Sequence, residues 1–119
     1  MENIYDGVEV LELLAPQSIT DTNVNGTAVD ISENVGKGII VTHIAGVGEG
    51  ESVTVDLKHG TTSQTATTLK ERLHDAEDTD GVYGSKVIPD DLYAYGAVSV
   101  GVVGTAIVGV SLLAPKKYV

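Results

Sequence analysis

The chain has 119 residues, 17 of them acidic and seven basic, for a net charge of −10, and it contains no cysteine. That length suits a single domain with a core of its own. The charge repels nucleic acid and anionic lipid, and the missing cysteine excludes disulfides and cysteine-ligated zinc. The only aromatic residues are five tyrosines, so the core falls to valine, isoleucine, leucine and alanine; the β-branched ones pack better on a pleated sheet than in a helix.

The first ten residues, MENIYDGVEV, carry Glu2 and Asp6 where a secretory signal would be basic, and read as a mature start. In GVEVLELLAP the apolar alternation changes parity between Val10 and Leu11, which fits a bulged strand or a short helix. Residues 1–14 are read as an extended arm preceding one sandwich domain over 15–119. PQSIT gives a short strand, and Asn25-Gly26 is a hairpin signal ahead of a strand that places Val29 and Ile31 on one face. KGIIVTHI, almost continuously apolar, belongs in the middle of a sheet. After the glycine-rich AGVGEGES comes SVTVDLKHG, in which Val53, Val55 and Leu57 alternate with polar residues. These two segments read together as a hairpin.

Thr61 to Thr68 is rich in hydroxyls and reads as a loop or polar edge strand. Thr68 and Glu71 have capping-box spacing, with Leu69, Leu73 and Ala76 on one helical face. A short helix and a further extended segment both fit, and DAEDTDGVYGS closes the element as a loop. The last long segment, GAVSVGVVGTAIVGVSLLAP, is apolar enough to raise a transmembrane span, with Lys116 and Lys117 at a headgroup layer. Its four glycines and many β-branched residues make a weak helix, however, and period two occurs twice, in Val98, Val100, Val102 and in Val108, Val110, Leu112. The segment is therefore read as a closing hairpin with Gly104 at its turn. The whole pattern predicts an all-β fold, an antiparallel β-sandwich of jelly-roll or immunoglobulin-like topology with at most one short helix.

No catalytic, cofactor-binding or metal-binding residue emerges. His43, His59 and His74 stand singly, without the spacing of a zinc site. His43 is expected to be a hydrogen-bonded structural residue, and His59 to lie at a strand end in solvent. There is no Gly-x-Ser-x-Gly elbow. The acidic run Asp75 to Asp80 fails the EF-hand spacing and reads as a solvated loop, while GVGEGE lacks the lysine of a phosphate loop. The chain is expected to be no enzyme.

The order LAPQSIT, NGTAVDIS, GIIVTHIAGV, SVTVDLKHG and VSVGVVGTAIVGVSLLAP resembles the small β-sandwich head proteins of tailed bacteriophages. That resemblance implies a non-enzymatic capsid decoration or auxiliary head protein, assembled in the host cytoplasm and residing in the virion. Its partners would be the major capsid protein or other virion proteins, and it would itself be a homo-oligomer, binding neither nucleic acid nor membrane. The arm would add a strand to a neighbour's sheet. The alternatives are a carbohydrate- or surface-binding module, whose sites would use Tyr5, Tyr83, Tyr93, Tyr95 or Tyr118, and a tail or baseplate protein.

Overall fold

A computed structural model describes residues 8–34, 36–89 and 92–116. Nine strands follow one another: β1 (Val8–Thr20), β2 (Asn23–Asn25), β3 (Val29–Asp30), β4 (Gly38–Ala45), β5 (Ser52–Gly60), β6 (Thr68–Glu77), β7 (Gly81–Val87), β8 (Tyr95–Val103) and β9 (Thr105–Pro115). They form two antiparallel sheets, a front sheet in the order β1-β9-β4-β7 and a back sheet in the order β2-β8-β5-β6. β3 pairs with β8 beyond β2, so β2 and β3 are two pieces of one interrupted edge strand. With β2 and β3 taken as one strand, every connection except β5 to β6 crosses from one sheet to the other. Eight strand positions wound in this way are a jelly-roll, which decides between the two topologies that the sequence left open.

Period two places the core. Val53, Val55 and Leu57 of β5, Val98, Val100 and Val102 of β8, and Val108, Val110 and Leu112 of β9 are all buried between the sheets, as their alternation predicts. Leu13, Ile19, Ile31, Ile40 and Ile44 complete that layer. β4 lies inside its sheet, between β9 and β7. Among its inward residues Thr42 is fully buried, and its hydroxyl has no hydrogen-bond partner.

Several expectations need correction. β8 and β9 do not form a hairpin, because they belong to opposite sheets; they are joined by a one-residue arch at Gly104, whose φ is +88°. The Gly104 N–H donates to the Asp21 carboxylate at 2.7 Å, and the Gly104 carbonyl accepts from the Asp21 N–H at 2.8 Å. β4 and β5 likewise lie in different sheets. Alternation says which side chains point inward, but it is the same for a strand of either sheet, so it cannot tell an arch from a hairpin.

Asn25-Gly26 is not a hairpin turn either. The chain runs straight on along β8, with the Gly26 N–H donating to Val98 at 2.8 Å. There it passes so close to β1 that the Thr27 N–H reaches the Leu13 carbonyl at 3.0 Å, and a Cβ on residue 26 would overlap that carbonyl.

Of the short helix and the extended segment that both fit Thr68–Glu77, the structure has the extended one, strand β6 on the edge of the back sheet. An exposed two-turn helix has little packing to sustain it, whereas the free edge of β5 supplies backbone partners, and Arg72 pairs with Asp56 across the strands at 2.8 Å. The arm boundary between residues 14 and 15 falls inside β1. Val8 to Leu14 pair with β9, and Leu13 and Leu14 are buried, so deleting residues 1–14 would remove part of the core. Residues 1–7 of the arm lie outside the described residues.

Candidate functional site: the outer face of the front sheet

An antiparallel sheet that covers a core on one side normally turns polar side chains to water on the other. The back sheet does so. Its outer rows bring together Asn25, Ser99, Asp56 and Arg72, and next to them Asn23, Gly101 and Thr54. The front sheet does not. Its ladder aligns Val10, Leu113, Ile39 and Lys86 in one row across four strands, and Glu12, Ser111, Val41 and Gly84 in the next. Further along come His43 beside Val82, and Ile107 beside Ala45. Val10, Ile39, Val82 and Ile107 are each more than half exposed.

This face explains the run of residues in GIIVTHI. β4 is apolar at both parities because Ile40 and Ile44 fill the core while Ile39 and Val41 lie on the outer surface. A continuous apolar run in an antiparallel strand was the available signal for an apolar outer face. Taken from the strand spacing and the length of the rows, the face covers about 500 Å², at the upper end of what monomeric proteins leave exposed. Among the described residues only Glu12, His43 and Lys86 bring ionisable groups to these rows, so most of the acids described lie elsewhere.

The residues singled out for chemistry are dispersed. His43 is exposed on the front face, not a buried structural residue. His59 does lie at a strand end, half-buried, with its ring stacked on Tyr93 at 4.4 Å and its Nδ1 accepting the Tyr93 N–H at 3.1 Å. Burial, and then the nearby Lys70 charge, lower its pKa. His74 meets the edge of the Tyr83 ring at 4.9 Å, and burial lowers its pKa too.

The acids at one end of the sandwich serve the loops. Asp80 accepts the N–H groups of Val47 and Gly46 at 2.9 and 3.0 Å, bonds that hold its pKa below the usual value. Glu51 accepts those of Gly48 and Thr105. Among the described residues no three His, Asp or Glu side chains are grouped to hold a metal ion. Nor is any helix among them long and apolar enough to cross a membrane; the segment that raised that question is β8 and β9.

No family model and no curated sequence matches the chain. Solved structures do match its fold. The VP2 subviral particle of infectious bursal disease virus aligns over 92% of this chain with a TM-score of 0.62 at 8% identity. The structure of the Gx strain of that virus gives 0.62 at 7%, and its T13 particle gives 0.52 at 10%. The chain spans about a third of those proteins, 32%, 32% and 30% of their lengths. At such identities the likeness is one of fold.

Proposed function

We propose that this chain is a non-enzymatic structural protein of a virion, an auxiliary or decoration protein of a tailed-phage head that is held in place in many copies. The observation that carries the reading is the apolar outer face of the front sheet on a jelly-roll whose chemistry-bearing side chains are scattered. A protein that works by assembly needs such a face and no cleft, and multiplicity turns modest single contacts into firm attachment. The negative charge displaced from that face keeps unassembled copies apart in other orientations. The fold it shares with a viral shell protein is consistent with this role.

The test is immunogold labelling, with antibody raised against the chain, of particles purified from the organism that encodes it. Label on particle heads is expected. Label confined to the unassembled fraction would overturn the proposal, and label at the tail would transfer the chain to the tail or baseplate reading.

One observation favours a second reading, that of a carbohydrate-binding module. Tyr93 is 54% exposed and its ring is backed by the His59 imidazole, a geometry suited to stacking against a sugar. Binding on a glycan array that is lost in Tyr93→Ala would favour it over the virion role.

A further inference from the structure

We propose that the front face is the contact between two copies of this chain, packed face to face about a two-fold axis that runs parallel to the strands. The proposal rests on the reading of this face as an assembly surface, and it names the occupant.

Among the described residues of these rows one carboxylate and one ammonium group stand out, on opposite edges of the sheet. Glu12 is on β1 and Lys86 is on β7, one row apart in the ladder. Two sheets stacked face to face can be related by a two-fold axis across the strands or along them. An axis across the strands lays β1 on β1 and β7 on β7, so that wherever it passes near these two rows Glu12 lies near the partner's Glu12 and Lys86 near the partner's Lys86. An axis along the strands lays β1 on β7 and β9 on β4. Each Glu12 then lies beside the partner's Lys86, within the reach of a lysine side chain, and this happens twice. The charge pattern is thus self-complementary in one orientation and repulsive in the other, the property an isologous contact needs.

Side-chain size points the same way. With β9 over β4, Val41 meets the partner's Ser111, Ile107 meets the partner's Ala45, and Ile39 meets the partner's Leu113. Two of these three contacts set a large residue against a small one, as interdigitation at a sheet spacing of about 10 Å requires. Two faces of about 500 Å² bury about 1,000 Å² together, the lower limit for a specific contact, so the pair should dissociate in the micromolar range.

Sedimentation equilibrium of the purified chain from about 1 to 100 µM tests this. Urea midpoints confirm that each variant folds, since every substituted side chain is on the surface. A monomer–dimer equilibrium is expected, with Ile39→Lys monomeric throughout. Glu12→Lys and Lys86→Glu should each weaken the dimer about tenfold, and the double variant should restore it to within about threefold of wild type. Wild-type protein that stays monomeric overturns the proposal, and so does a dimer that is indifferent to the charge swaps or not rescued by the double variant. A monomer that still labels particle heads would end this inference and leave the virion role standing. A dimer with the predicted swap behaviour that never labels particles would do the reverse.

Discussion

Replacing Gly26 by alanine puts a methyl group where the Leu13 carbonyl already stands, with the Val98 side chain 3.2 Å from the new Cβ on another side. Backbone cannot swing away as a side-chain tip can, so the β2–β3 edge must move off β1. Overpacking of this kind costs about 1–3 kcal/mol. Parting the strands also loosens the bond from the Thr27 N–H to the Leu13 carbonyl, worth about 1 kcal/mol. Alanine restricts the unfolded chain and returns about 0.5–1 kcal/mol. The net loss should be about 2–3 kcal/mol, which lowers the urea midpoint by about 1 M or more at the slope expected for a small domain. Asn25→Ala, at the exposed neighbouring position, serves as the control and should stay within about 0.5 kcal/mol. A Gly26→Ala protein as stable as that control would refute the close approach of the two sheets here and return Gly26 to the role of an ordinary turn residue.

Val100→Asp and Val110→Asp each place a carboxylate at a fully buried position. The unpaired charge costs several kcal/mol, on the scale of a domain's whole stability, so neither variant should give a cooperative urea transition; two soluble, cooperatively folded proteins would contradict the assigned faces. Thr42→Val removes a buried hydroxyl that has no partner while keeping the shape, and should raise stability by about 1–2 kcal/mol; a lower urea midpoint would mean that the hydroxyl is bonded after all. His59 and His74 have folded-state pKa values below that of an unfolded histidine, so folding favours their neutral forms. Their contribution is intact above about pH 6.5 and is lost as the pH falls through the lowered folded-state values. Urea midpoints should be level above neutrality and decline on the acid side, and a decline that persists unchanged in His59→Gln/His74→Gln would assign it to other groups.

The inward faces of β5, β8 and β9 could be read from the chain because burial imposes period two on any half-buried strand. Sheet membership could not. Val98 to Val102 and Val108 to Leu112 show the same alternation whether they pair with each other or face each other across the core, and only the pairing of β9 with β1 and β4 decides it. At Thr68 and Glu71 a correct local signal lost to tertiary context, since the free edge of β5 offered backbone partners to a segment with little apolar surface to support a helix. Gly26 shows that glycine has two uses: Asn-Gly in a sequence signals a turn, whereas the fold here needs the missing side chain. The candidate surface was partly legible. Ile39 and Val41 are what make GIIVTHI continuous, but a run apolar at both parities serves equally for burial on both sides and for an uncovered outer face.

The arch at Gly104 also sets a timetable. β9 is the strand that joins β1 to β4, and β1 pairs with it almost from end to end. During synthesis β1 emerges before the other eight strands and its partner after them, so the front sheet has no middle until Thr105 to Pro115 have left the ribosome. Pairing across such separations is slow, and for that interval the apolar strands of both sheets stand open to wrong partners and to chaperones. A chain stalled before Gly104 would hold most of its core residues and still be unable to close, so the emergence of β9, more than any local nucleus, should trigger the folding of this domain.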